Sequence, residues 1–346
     1  MEISSDFLVD RQASSSDIPV FTDSSSLLLS SSATVSQRPF PSYMDASSPA
    51  SINNNPRAGS PIYVSPKELC GSLRSEDFCS SEKIDPEELT DFELLGRGSV
   101  CVLYNAMWKG SHVVIKRLPL APRQQSEQFN DLLKEANIMR GLRHPNVLQY
   151  LGICWGGPFP SDVGLVMEYM SRGSLYEWIH SPVQFDVRTI RRICEDTAKG
   201  MWYLHSRVPP IIHRDLKSHN LLLDENLKVK VCDFGLSCYV RPGVSPEMTA
   251  CGTPSWSAPE VLRSESYTMK ADVYSFGVVL WELFARGDPY PGLGPMKIAF
   301  EVSTMSARPA LQQGWPLQWT QLMELCWSEN PAQRPDFKEL LELFPQ

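Results

Sequence analysis

The run IIHRDLKSHNLLLDENLKVKVCDFG, Ile211 to Gly235, constrains this chain more than any other stretch. Apolar, strand-like segments bracket a loop that gathers a carboxylate, an ammonium and an amide at Asp215, Lys217 and Asn220. Charged groups are not left inside a fold without partners. The apolar flanks must therefore be buried while the loop between them opens on a cleft. The amide follows the acid by five residues, so both can turn to one side of the loop. Eighteen residues past Asp215, Asp233 stands just after the strand-like KVKV. Asp215 can accept a hydrogen bond from an incoming hydroxyl and orient it, and Lys217 can neutralise charge on a group in transfer. Asn220 and Asp233 offer oxygens to a hard cation such as Mg²⁺. Turn capping alone would not require this set in this order.

Upstream, FELLGRGSVCVLYNAMWKGSHVVIKRL is β-branched and apolar, broken at Gly96, Gly98 and Gly110-Ser111. It predicts three successive antiparallel strands joined by tight turns. Gln124–Leu142 carries Phe129, Leu132, Leu133, Ala136 and Met139 at helical spacing, one amphipathic helix. NVLQYLGICW and VGLVMEYM read as two further strands. Beyond Gly173 the pattern turns helical, over Ser174–Ile179, Val187–Ser206, Ser257–Leu262, Lys270–Arg286, Pro295–Ser303, Trp315–Ser328 and Phe337–Leu343. Strand-rich first and helix-rich second predicts an α+β fold of two lobes, with the ligand cleft between them. On the small sheet, Lys116 ends the run VVIK and presents its ammonium to one face. Glu135 shares a helix face with Leu132 and Met139, so it points partly inward and requires a cation, for which Lys116 is available.

Met1–Lys83 is about one-quarter Ser. Such a stretch cannot bury enough apolar surface to offset about 1–2 kcal/mol of backbone ordering per residue, and a disordered tail is expected there. Residues 84–346 are left for the catalytic domain. The net charge of −8 argues against a nucleic-acid partner. Nine Cys without CxxC pairs or metal-ligand spacing, and no visible signal peptide, predict reduced thiols in a reducing compartment. The longest strongly apolar stretch, Val273–Phe284, suits a buried helix and is too short for a membrane span. The expected location is the cytoplasm, with the nucleus left open.

Taken together and in order, these segments closely resemble the signature set of eukaryotic protein kinases over Ile84–Phe344. The resemblance implies the two-lobed kinase fold, ATP and Mg²⁺ as ligands, and a protein substrate. By it, the Gly-rich loop Leu95, Gly96, Arg97, Gly98, Ser99, Val100, Cys101, Val102 and Leu103 covers ATP. Lys116 contacts the α/β-phosphates and pairs with Glu135, Asp215 is the catalytic acid/base residue supported by Lys217, and Asn220 and Asp233 hold Mg²⁺. Val114, Met167 and Leu222 line the adenine pocket, where Glu168 and Met170 give backbone bonds. SAPE (Ser257–Glu260) closes the activation segment, Asp272 anchors the catalytic loop, and Arg334 pairs with Glu260. HRDLKSHN and Thr253 in CGTPSWSAPE resemble Ser/Thr enzymes, and SWSAPE with LCW…NPAQRP resembles the tyrosine-kinase-like group. The implied activity is Ser/Thr phosphorylation in signalling; a dual-specificity enzyme or a pseudokinase scaffold are the alternatives.

The pattern is broken at the third glycine of the loop, where Cys101 stands, and by Val114 and Leu103 in place of the usual Ala and Val. None removes a charge or a metal ligand, so altered ATP affinity with intact chemistry is expected. Arg214, beside Asp215, resembles an Arg that binds a phosphate on the activation segment. Ser245 and Thr249 are the regulatory candidates there, with an upstream kinase as the implied partner.

Overall fold

The structure, a computed structural model, describes residues 79–98, 101–118, 127–155, 163–240 and 251–345. The tail up to residue 78, Ser99, Val100, Ser245 and Thr249 lie outside the described residues. A 3₁₀ turn at Ser80–Glu82 leads into strand β1 (Lys83–Ile84). There follow β2 (Leu89–Arg97), β3 (Val102–Trp108), β4 (Ser111–Leu118), helix α1 (Glu127–Met139), β5 (Tyr150–Trp155) and β6 (Val163–Glu168). The strands form one sheet in the order β1-β5-β6-β4-β3-β2, antiparallel except that β1 runs parallel to β5. Lys83 thus faces Ile153 and Ile84 faces Cys154; Cys79–Lys83, counted with the tail by composition, is part of this lobe. No local apolar pattern marks so short a strand.

Side chains of a strand alternate between faces, and in β4 that parity places the key residue. Val113 and Ile115 join Ile84, Leu89, Ala106, Cys154 and Val166 in a core on one face. Leu118 and half-buried Val114 belong to the larger core on the other. Lys116 shares the face of Val114 and Leu118, which looks toward α1 and the second lobe. On α1, Leu132, Leu133, Ala136 and Met139 are buried as their spacing predicts. The helix ends at Met139, short of Leu142, with Gly141 following.

The second lobe is helical: α2 (Leu175–His180), α3 (Val187–His205), α4 (Pro259–Leu262), α5 (Lys270–Ala285), α6 (Pro295–Thr304), α7 (Leu317–Cys326) and α8 (Phe337–Leu343). Short ribbons carry the loops: β7 (Ile211–Ile212) pairs with β10 (Cys238–Tyr239), and β8 (Leu221–Leu223) with β9 (Val229–Val231). Asp186 caps α3 by accepting from Thr189 N at 2.7 Å, and Asp336 caps α8 by accepting from Glu339 N at 2.8 Å. Helix α5 is buried on every side from Ala271 to Leu283, a continuous post around which the lobe packs. The expected two-lobed α+β fold is the one observed; the capped starts of α3 and α8 fall where expected, and the helix ends that differ do so by one to three residues. Among the described residues, no helix is long and apolar enough to cross a membrane.

Helix α3 approaches the strands that carry the loops at Gly200, where an added Cβ would stand 2.5 Å from Asn146 O and 3.1 Å from Val231 Cγ2. Gly200→Ala is expected to lower stability, because overpacking of about 1–3 kcal/mol exceeds the ~1 kcal/mol of helix propensity that Ala brings. Urea unfolding checks this: a midpoint equal to or above that of the unaltered protein would show that the contact relaxes freely.

Candidate active site

Three elements converge on Lys116. From α1, Glu135 meets its Nζ with both carboxylate oxygens, at 3.0 and 2.9 Å. From the turn after β9, Asp233 Oδ1 lies 2.9 Å from the same nitrogen. Glu135 is buried and Lys116 largely so, and an isolated charge at either place would cost several kcal/mol. Burial disfavours the ammonium, yet Glu135 and Asp233 together raise its pKa above the ordinary lysine range. Burial likewise works against Asp233, and Lys116 overcomes it, holding that carboxyl below its usual value. Lys116 is therefore charged and positioned, with three oxygens around one nitrogen.

The loop between β7 and β8 is pinned from below. Buried Asp272 on α5 accepts from the backbone of His213 (2.8 Å) and Arg214 (2.9 Å) and from His205 Nε2 (2.9 Å). Burial alone would raise its pKa; His205 and then His213 bring it below the usual range. Arg214 and Asp233 both adopt left-handed backbone, φ 69° and 62°, a conformation that costs a non-Gly residue about 1–3 kcal/mol and persists only where surroundings enforce it. At Arg214 the enforcement is Asp272. His213 carries the constraint onward, its Nε2 at 2.9 Å from Cys232 O, just before Asp233. Arg214 itself donates to Leu236 O and to Tyr267 OH.

Above this anchor, Asp215 is held at both oxygens. Oδ1 accepts from Thr253 N (3.0 Å) and Thr253 Oγ1 (2.8 Å). Oδ2 lies 2.7 Å from Lys217 Nζ and accepts from Asn220 Nδ2 at 3.1 Å. Lys217 also donates to Thr253 Oγ1 at 2.8 Å, and Asn220 Nδ2 to Asp215 O at 2.8 Å. Thr253 can come this close because Gly252, at φ 93°, has no Cβ; one built there would sit 2.6 Å from Arg214 O. The arrangement orients a carboxylate, keeps a cation beside it, and leaves it poised to receive a hydroxyl proton.

The other sequence candidates fall around these two clusters. In the glycine-rich turn, Gly98 N donates to Cys101 O at 2.8 Å. Half-buried Cys101 packs toward the main core, and burial raises its thiol pKa with Lys116 opposing. Leu103 pairs in register with Lys116, and Val114 with Met167; Met167 and Met170 are buried, Val114 and Leu222 half-buried, while Leu95, Arg97 and Gly98 are exposed. The Glu168 carboxylate turns to Lys230, 2.6 Å away, and accepts from Gln149 N at 2.7 Å. Arg334 meets Glu260 at 2.6 and 2.9 Å.

Sequence reasoning missed His205, Lys230 and Glu282. The alternation in KVKV, with Val229 and Val231 buried, could have placed Lys230 on the opposite face. His205 ends a helix and Glu282 lies inside an apolar one, so nothing local reveals their partners. Buried Glu282 accepts from Ser218 Oγ (2.7 Å) and Trp256 Nε1 (2.8 Å), joining the Asp215 loop to the residue just before SAPE.

The sequence model of the family described as protein tyrosine and serine/threonine kinase matches residues 89–344. The chain is 46% identical over 261 residues to the probable serine/threonine-protein kinase drkB of Dictyostelium discoideum, covering 75% of this chain and 37% of that protein. It is 47% identical over 249 residues to drkA of the same organism, covering 72% and 38%. To the serine/threonine-protein kinase CTR1 of Arabidopsis thaliana it is 42% identical over 254 residues, covering 72% and 30%. The chain thus spans less than two-fifths of the length of these relatives.

Burial pushes the Glu282 carboxyl up to about 8, despite its two donors. The folded chain then keeps a proton that the unfolded chain releases near 4.5. Stability from this group is complete below that lower value, declines as pH rises toward 8, and is level above it. Between pH 5 and 8 the unaltered protein should lose more thermal stability than Glu282→Gln, which cannot ionise. Parallel losses in melting temperature would remove Glu282 as the cause.

Proposed function

The chain belongs to the protein tyrosine and serine/threonine kinase family, and on that footing we propose that it transfers the γ-phosphoryl group of ATP to serine or threonine hydroxyls of proteins. The observation that carries this reading is the double constellation at the cleft: Lys116 held by Glu135 and Asp233, and Asp215 held by Lys217, Asn220 and Thr253.

Phosphoryl transfer asks little covalent chemistry of the protein and much positioning and electrostatics. Lys116, fixed by its partners, binds phosphate oxygens of ATP. Asp215 accepts a hydrogen bond from the acceptor hydroxyl, aims its oxygen and takes the proton as the bond to the γ-phosphorus forms and that phosphorus parts from the bridging oxygen, which leaves with ADP. Lys217, beside it, offsets charge on the group in flight. Mg²⁺ is implied by the family, and the donor set suits it. Asn220 spends its Nδ2 on Asp215, which leaves Oδ1 as an acceptor. Asp233 places Oδ1 on Lys116 and keeps its side chain 44% exposed. These two hard oxygen donors would hold the ion, consistent with its habit of using one or two protein ligands beside phosphate. Bound there, it neutralises phosphate charge.

The contacts of Thr253 with Asp215 and Lys217, and the names of the relatives, favour serine and threonine over tyrosine. The presence of Lys116, Asp215, Asn220 and Asp233 favours an active enzyme over a scaffold. We take the stretch before Cys79 as a tail and the remainder, Cys79–Lys83 joined to residues 84–346, as the catalytic domain. Ser245 or Thr249, modified by an upstream kinase, would give Arg214 a phosphate to bind. A protein substrate and a cytoplasmic location complete the reading.

A radiolabelled-ATP assay on a generic protein substrate tests it. Asp215→Asn and Lys116→Met should each cut turnover on the order of 10²–10³-fold, and the label should appear on serine and threonine. Equal incorporation by the unaltered protein and both variants would sink the proposal.

A further inference from the structure

Within the helical lobe, lined by none of the cleft residues, lies a cavity of about 240 Å³ between the end of α3, the start of α5 and the start of α8. Its walls include Trp202, Met269, Val273 and Phe337, and His205 also lines it. Val273 and Phe337 are buried, whereas Trp202 is 42% exposed at its rim. An engineered apolar cavity of ~150 Å³ holds benzene; this one has room for a larger, two-ring compound. The charged and hydroxyl groups at its edge are already engaged. Asp336 caps α8, Lys270 Nζ donates to Arg334 O at 2.6 Å, and Thr268 accepts from Lys270 N at 3.3 Å. Each is drawn into the surrounding structure, and the walls between them are mainly apolar, which suits a neutral ligand better than a charged one.

His205 is the exception. Its Nε2 lies 2.9 Å from Asp272 Oδ2, and an ionised carboxylate can only accept, so Nε2 carries the hydrogen. In the neutral ring, the form the ligand described below requires, Nδ1 is then the remaining acceptor. The same Asp272 carboxylate takes the amides of His213 and Arg214. One imidazole therefore stands between the cavity and the backbone of the Asp215 loop.

We propose that this cavity is a second ligand site, for a neutral, indole-type aromatic compound whose N–H or O–H is accepted by His205, and that its occupancy reaches the loop through Asp272. The ring lies on Trp202 and Phe337, and the donor meets the imidazole. Displacement of His205 alters its bond to Asp272 and hence the hold on the His213 and Arg214 amides. A ligand shifts the loop only as far as it binds its two arrangements differently.

Indole is the probe, read by ¹H–¹⁵N NMR of the full chain with excess ADP present, so that adenine-site binding is excluded. Binding needs no turnover, so the proposed enzymatic activity can fail without affecting this result. Saturable shifts should appear at His205, His213 and Arg214, with a Kd on the order of 1 mM for so small a ligand. Met269→Trp, which fills the cavity, should abolish them with the melting temperature retained. Trp202→Ala, a change at the exposed rim, should weaken binding several-fold and serves if the larger substitution disturbs folding. No saturable shift, or equal binding in the variants, overturns the site. Shifts at His205 that leave His213 and Arg214 unmoved overturn the connection to the loop.

Discussion

A single buried carboxylate carries the geometry of the candidate site. Asp272 sits on a helix that is apolar all round, so the position of its side chain is fixed by the core rather than by solvent. A charge in that setting must collect donors, and those within reach are two consecutive loop amides and one imidazole. Satisfying Asp272 holds Arg214 in left-handed backbone and places Asp215 at the mouth of the loop. The hydrophobic post and the polar loop are thereby two sides of one constraint.

The second constraint ties the lobes together. Lys116 comes from the sheet, Glu135 from α1 and Asp233 from the helical lobe, and they meet at one nitrogen. Burial makes each charge costly alone and the set mutually dependent. Strand parity in β4 decides that Lys116 faces the others, and the α1 spacing decides the same for Glu135. With Asp215 braced by Thr253 and Lys217, the cleft presents fixed cations and carboxylates before any ligand arrives, which is what electrostatic preorganisation requires.

Much of this was legible in the chain. VVIK carried a strand with Lys116 on one face, LLKEANIM a helix with Glu135 turned inward, and HRDLKSHN a loop with its acid and amide on one side. What escaped was short or remote. Two-residue strands such as Lys83–Ile84 and Ile211–Ile212 have no period to detect and exist only because packing brings a partner alongside, the edge of β5 for the first and the equally short Cys238–Tyr239 for the second. Helix ends moved where a local feature decided them, as where Ser174 caps α2 and starts it one residue later, or where Gly141 follows the early end of α1. His205 and Lys230 find partners 67 and 62 residues away, and no local pattern encodes such a distance.

By itself, then, the sequence determined the order of elements, the two-lobed α+β class and the identity of the polar groups in the cleft, because periodicity and apolar bracketing are local properties of a chain. Only the tertiary structure decided which oxygen meets which nitrogen: Glu168 with Lys230, Glu282 between Ser218 and Trp256, Thr253 against Asp215 beneath Gly252. Those pairings follow from how close the packed elements come, and closeness is set by side-chain volume and missing Cβ atoms across the core rather than by neighbours along the chain.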